Sequence, residues 1–402
     1  MSSRVPLAAL TASVLFALFA ALQAAAGTPS LPIAPRPTVA HSRTGAPAPA
    51  AAESPAAPAP APAAAVAPLP APPVPPGAAR VDPLTDLPVA PERAAAAPRA
   101  LLAVMVENST AARPQSGLDR AGIVFETYVE GGVTRFMTLF AETDADVIGP
   151  VRSTRQYFAS WAFGFGAHLG HCYAKPTGYA TIKRLGVMSL DAVRAGAESG
   201  YYWRTKTKPG PHNLYASTEA LRRYAVEKKK FPAAPATSLW PFKAEAAPGA
   251  RGAVAPIDVH FSGKAYDARF DYDAATNTYP RSMAGAPHMS GSVKAEAPSA
   301  KVLNGALHDP ASAVRLAPRN VVALEMKARV DDPELLTLDM TVVGGGRALV
   351  FRDGTVLEAA WSRGAETDPL RIVDAGGAPV PMNAGQTWIV VVRDLKAVGY
   401  PH

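Results

Sequence analysis

The sequence predicts an α+β protein: a mixed α/β N-terminal module built round a core β-hairpin, followed by a mainly antiparallel β C-terminal module. Three observations carry this. Period-2 segments flank Gly131-Gly132, a helix-spaced apolar run follows Ser153, and short alternating segments separated by Gly and Asn turns fill the chain beyond residue 253. Composition divides the chain into a signal peptide or membrane anchor (1–26), an Ala/Pro-rich disordered linker (27–99), an N-terminal module (100–231), a linker (232–252) and a C-terminal β-rich module (253–402).

An apolar run from Val5 to Ala26 follows Met-Ser-Ser-Arg and ends Ala24-Ala25-Ala26-Gly27, the form of a secretory leader with small residues before the cut. Left uncut, its roughly 22 residues at about 1.5 Å each are long enough to cross a bilayer. Either way the rest of the chain is expected to be exported, periplasmic or extracellular, with membrane contact through residues 5–26 only if the leader stays. Of 41 prolines in the 402 residues, roughly half fall between Gly27 and Arg99, where they remove donors and fix φ. The single cysteine, Cys172, excludes an intramolecular disulfide and any multi-thiolate metal site. A net charge of +7, spread evenly, is too weak for a duplex nucleic-acid footprint but favours anionic partners.

Leu101 to Val106 reads as a buried strand that leaves Glu107 and Asn108 at its polar end, and Arg113-Pro114 to Asp119 reads as a loop. If Gly131 and Gly132 are the two residues of a primed turn, Tyr128 pairs with Arg135 and Glu126 with Met137. Arg135 then shares a face with Glu126 and Glu130, either as a solvated salt bridge or as part of a site. Past Gly149-Pro150, Ser153 is a candidate N-cap for a helix through Tyr157, Phe158, Trp161 and Phe165. Arg152 and Arg155 at that helix start oppose its macrodipole unless something negative is near, either a bound anion or a protein carboxylate. Alternation over Ala167 to Ala174 puts His168 and Cys172 on one face and His171 on the other, which no zinc site needs. In the loop Trp203 to Tyr215, His212 is fixed between Pro211 and Asn213 as an acid/base candidate or a loop brace. In the C-terminal half, strands are expected at Ile257–Phe261, Ala268–Tyr272, Val321–Lys327, Leu336–Val343, Arg347–Phe351, Val356–Trp361 and Thr387–Arg393. Arg281 and His288 are read as bracing a hairpin connection or contacting the first module.

Four separated motifs, Val106-Glu107-Asn108-Ser109 with Arg113-Pro114-Gln115-Ser116-Gly117, Glu130-Gly131-Gly132-Val133-Thr134-Arg135, Gly149-Pro150-Val151-Arg152-Ser153 and Pro211-His212-Asn213-Leu214-Tyr215, resemble the YerB-like family of bacterial exported proteins. The resemblance runs over nearly all of Ala100 to Tyr400. It implies N- and C-terminal modules of unknown function and carries no catalytic residues. Many members look like lipoproteins, whereas this chain lacks an anchoring cysteine. A weaker similarity, to LytR-CpsA-Psr phosphotransferases, would have Arg135, Arg152 and Arg155 hold a pyrophosphate.

Two functions are therefore expected. In the first, Asn108, Arg113, Glu130, Arg135, Arg152, Arg155 and Asn213 line a cleft for an anionic envelope polymer, a lipid head group or an envelope protein, without cofactor or metal. In the alternative, the chain is a metal-assisted phosphotransferase on a pyrophosphate-linked envelope precursor, with Asp119 or Glu130 holding a divalent cation and His212 as acid/base.

Overall fold

The computed structural model describes residues 80–196, 199–232, 234–291, 313–332 and 337–401. The expected leader and the linker up to residue 79 lie outside the described residues. Among the described residues, ten strands form one sheet: β1 (Leu102–Glu107), β2 (Ile123–Tyr128), β3 (Thr134–Phe140), β4 (His168–His171), β5 (Ser189–Asp191), β6 (Asn320–Glu325), β7 (Gly344–Arg352), β8 (Thr355–Arg363), β9 (Arg371–Val373) and β10 (Thr387–Val392). Their spatial order is β9-β8-β7-β6-β10-β2-β3-β1-β4-β5. The first five strands come from the N-terminal half and the rest from the C-terminal half, so the halves are joined by main-chain hydrogen bonds between β10 and β2.

The C-terminal half is mainly antiparallel, as its alternating segments predict. Strand β10 departs from this pattern and runs parallel to both β6 and β2. It reads Thr-Trp-Ile-Val-Val-Val and is buried throughout, the near-continuous apolar composition of a strand covered on both faces. One face is covered by helix α1 (Gln156–Gly164), whose Trp161 ring stacks on Phe125 of β2 at 5.3 Å. The other is covered by a smaller antiparallel sheet containing Ile257–Val259, Ala268–Phe270 and Arg281–Met283. Its Phe270 meets Trp388 of β10 edge to face at 6.3 Å.

The hairpin exists, but its register differs by one residue from the expected one. Glu130–Gly132 form a three-residue helical turn, closed by the Val129 N–H donating to the Val133 carbonyl at 2.7 Å. Tyr128 therefore pairs with Thr134, Thr127 with Arg135 and Glu126 with Phe136. Because side chains alternate, the extra turn residue sends Arg135 and Glu126 to opposite faces of the sheet. The helix start also differs. Thr154 bridges to Ala174, which keeps the chain extended through Arg155, so Arg155 rather than Ser153 is the N-cap of α1, with no side-chain cap.

The Ala/Pro-rich linker is expected to reach Arg99, but residues 80–99 belong to the folded body. Leu84 is 1% exposed, and the Asp82 carboxylate accepts from the backbone N–H groups of Leu84 and Glu142, both at 2.8 Å. Glu142 in turn pairs with Arg80 at 2.8 Å and Arg93 at 2.9 Å. An apolar anchor, a buried carboxylate and these ion pairs dock a segment whose composition reads as spacer. The second linker is similarly tied down, with Trp240 buried and Phe242–Lys243 paired with Met382–Asn383.

Three histidines are held in the interior. His168 Nε2 meets the Pro232 carbonyl at 3.1 Å, His171 Nε2 meets Ser189 Oγ at 2.8 Å, and His288 Nε2 meets Gln115 Oε1 at 3.0 Å. Burial lowers the pKa of each. The unfolded chain takes up protons as pH falls through about 6.5, while the folded chain resists them, so stability is full above that pH and falls below it. The slope approaches about 1.4 kcal/mol per pH unit for each histidine. The urea midpoint is expected to drop between pH 7 and pH 5.5; a flat midpoint across that window would show that these rings are not held neutral.

Candidate functional site

Two polar clusters form at the same end of the sheet, one on each face. The first lies on the α1 side, where Glu107 of β1 sits opposite Arg135 of β3. The segment after Gly149-Pro150 is clamped across this end: the Arg152 N–H donates to the Met105 carbonyl at 3.0 Å and the Val151 N–H to the Leu214 carbonyl at 2.6 Å. That clamp delivers Arg152, Arg155 and the His212 loop to one place. Glu107 pairs with Arg152 at 3.2 Å, and both its oxygens lie 3.0 Å from His212 Nδ1. Ser109 Oγ also donates to it at 2.9 Å. Glu130, in the hairpin turn, accepts from Arg155 Nε at 2.7 and 2.9 Å and meets Lys175 Nζ at 3.6 Å. Burial alone would raise the Glu130 carboxyl, but Arg155 and Lys175 hold it below its ordinary value.

Arg135 lies between these pairs and is 6% exposed. Its Nη1 donates to the Ser153 carbonyl at 2.9 Å, its buried Nε has no partner, and among the described residues no carboxylate lies within 4.0 Å of it. Burial, and then the nearby Arg155 and Arg152 against the pull of Glu107, push its pKa down to about 10. Arg135, Arg152, Arg155 and Lys175 thus face Glu107 and Glu130, an excess of cationic groups over carboxylates. Arg152, Lys175 and His212 keep about a quarter of their side-chain surface open, at 27%, 23% and 22%, so the cluster has a solvent-facing rim.

The second cluster lies on the small-sheet side. Arg281 Nη2 donates to Glu126 Oε2 at 2.6 Å, both side chains fully buried. Trp388 Nε1 donates to the same oxygen at 3.1 Å, and Thr134 Oγ1 donates to Glu126 Oε1 at 3.1 Å. Asn108 Nδ2 donates to Thr134 Oγ1 at 2.6 Å. Arg281 also donates to His288 Nδ1, which fixes that ring as the neutral Nε2–H tautomer facing Gln115. This network joins the two halves of the chain through 155 residues of sequence.

The residues singled out from the sequence therefore separate. Glu130, Arg135, Arg152, Arg155 and His212 come together. Asn108 and Arg113 lie with the second cluster: Arg113 Nε donates to Asn108 Oδ1 at 3.2 Å and Nη2 to the Ala265 carbonyl at 2.8 Å. Alternation along β1 explains this, since Asn108 extends the Val106 face and Glu107 the opposite one. Asn213 braces its own loop, accepting from Arg204 at 2.7 Å. Asp119 accepts from Ser290 Oγ at 2.9 Å, and no described contact links it to His212. Among the described residues no three His, Cys, Asp or Glu side chains gather as a metal site. Sequence reasoning missed Lys175, although it precedes Pro176 at the start of helix α2 (Pro176–Leu185), the same misplacement of a cation at a helix N-terminus that marked Arg152 and Arg155.

Comparison with known proteins agrees with this architecture. Residues 84–232 match the N-terminal domain, and residues 257–389 the C-terminal domain, of a family described as "Protein of unknown function (DUF3048)". The Bacillus subtilis protein named "Putative lipoprotein YerB" is 27% identical over 293 residues, 72% of this chain and 80% of the relative. The crystal structure of YerB from Bacillus subtilis superposes with a TM-score of 0.66 at 25% identity, covering 80% of this chain and all of that one. With both domains present in order, and the fold shared along most of its length, the chain belongs to the DUF3048 family.

Proposed function

We propose that this is a non-catalytic envelope protein that binds an anionic, phosphate-bearing ligand at the Arg135, Arg152 and Arg155 cluster. The observation that carries the reading is Arg135, a buried guanidinium with an orphaned Nε and no carboxylate in contact, set beside two further arginines. Burying a charge without a partner is costly, and a site that offers its remaining donors to an incoming anion recovers that cost on binding. The envelope setting rests on the leader-like N-terminus and on the lipoprotein name carried by the Bacillus relative. The phosphotransferase alternative is less well served. Glu130 is already held by two cations, which leaves it poorly placed for a metal, and Asp119 is engaged elsewhere.

The test is calorimetric titration of the full chain with inorganic pyrophosphate at about 20 and about 200 mM salt. Binding is expected to weaken with salt and to fall by about tenfold or more in Arg152→Ala/Arg155→Ala. Binding that ignores both would remove the proposal, as would metal-dependent turnover of a pyrophosphate-linked lipid that is lost in Asp119→Ala.

A further inference from the structure

A second basic feature lies farther along the same end of the sheet. Lys327, Ala328, Arg329, Asp339, Thr341 and Arg393 line a cleft of about 630 Å³. Lys327 follows the end of β6 and Arg393 the end of β10, and the two strand ends are held together by the Met326 N–H donating to the Val392 carbonyl at 2.8 Å. Arg329 pairs with Asp339 at 3.3 Å. Among the described residues no carboxylate lies within 4.0 Å of Lys327 or Arg393.

Two contacts tie this cleft to the first cluster. The Arg393 guanidinium lies 4.9 Å over the ring of Tyr128, whose carbonyl accepts from Tyr157 of α1 at 2.6 Å. Gln156, next to Arg155, donates to the Leu338 carbonyl at 2.7 Å on the hairpin that carries Arg329. Between β10 and β1 stand β2 and β3, so at about 4.8 Å per strand the strand ends that precede Arg393 and adjoin Arg152 are about 14 Å apart. One phosphate cannot span that distance; a chain of phosphates can.

We propose that the Lys327–Arg393 cleft is a second anion subsite, and that the ligand is a linear polymer carrying repeated phosphate groups and laid along this end of the sheet from one cluster to the other. This rests on the reading of the Arg135 cluster given above. Two linked contacts make the second binding event intramolecular, so affinity should rise with chain length beyond the statistical gain from more phosphates.

The experiment compares inorganic pyrophosphate with long-chain inorganic polyphosphate, affinities expressed per phosphate, on the full chain, on Lys327→Gln/Arg393→Gln and on Arg152→Ala/Arg155→Ala. Polyphosphate is expected to bind at least about tenfold tighter than pyrophosphate. That advantage should vanish in Lys327→Gln/Arg393→Gln, while the pyrophosphate binding that depends on Arg152 and Arg155 stays. An absent length advantage, or one that survives Lys327→Gln/Arg393→Gln, overturns the second subsite and leaves the first standing. Pyrophosphate binding that is indifferent to Arg152→Ala/Arg155→Ala overturns both.

Discussion

Glu126→Ala is expected to lower stability by about 3–5 kcal/mol, because it strands a buried guanidinium. The Arg281 side chain is 0% exposed, and Glu126 is its ion-pair partner at 2.6 Å. Removing the carboxylate also frees the Trp388 indole N–H and the Thr134 hydroxyl. Arg281 would keep its aromatic neighbours, with Trp388 at 4.5 Å, Phe270 at 5.4 Å and Phe136 at 5.9 Å. A desolvated cation–π contact is worth about 2 kcal/mol, too little to offset a charge left in a dry interior. His288 does not relieve the strain, since it already accepts from Arg281 and cannot take on a proton beside it. Urea unfolding measures the loss. Glu126→Leu/Arg281→Met should recover most of it, because the apolar pair has no charge to desolvate. A loss below about 1 kcal/mol in Glu126→Ala would mean that solvent reaches Arg281 and that the network does not lock the halves together.

Many elements of this fold could be read from the sequence, whereas helix α2, strands β5 and β9 and the pairings that build the site could not. Leu101 to Val106 has an apolar run bounded by a polar end, and it is β1; Tyr157, Phe158 and Trp161 have helical spacing, and they lie on α1. These signals are local. The hairpin register depended on whether the turn holds two residues or three, and Gly131-Gly132 suit both. The structure puts Glu130 in the turn as well. That single residue puts Glu126 and Arg135 on opposite faces of the sheet. The Glu126–Arg281 pair and the β10–β2 junction are long-range facts, set by which surfaces bury best, and no periodicity announces them. The excess of arginines was visible for a physical reason: cations at a helix start conflict with the dipole, and the structure resolves that conflict with Glu130 for Arg155 and Glu107 for Arg152. Among the described residues, Arg135, on β3 beside them, has no such carboxylate partner.

Arg135→Met should separate binding from stability. The methionine keeps the apolar stem of the side chain and removes a charge that burial and two neighbouring guanidinium groups disfavour. It forfeits one hydrogen bond, to the Ser153 carbonyl, worth about 1.5–3 kcal/mol for a charged donor. Against that it removes the desolvation penalty of an unpaired buried ion, several kcal/mol, and the mutual repulsion of the arginines. The balance predicts a variant as stable as the parent or more so. Pyrophosphate binding should nevertheless fall by roughly 30-fold or more, since losing one member of a buried charge contact costs about 2–5 kcal/mol. A residue retained for folding would give the opposite pattern, with stability lost and binding reduced only as far as the folded fraction is reduced. Denaturant midpoint and calorimetric affinity measured on the same preparation distinguish the two. A destabilised variant with parental affinity would assign Arg135 to the fold and leave the cluster without its central donor.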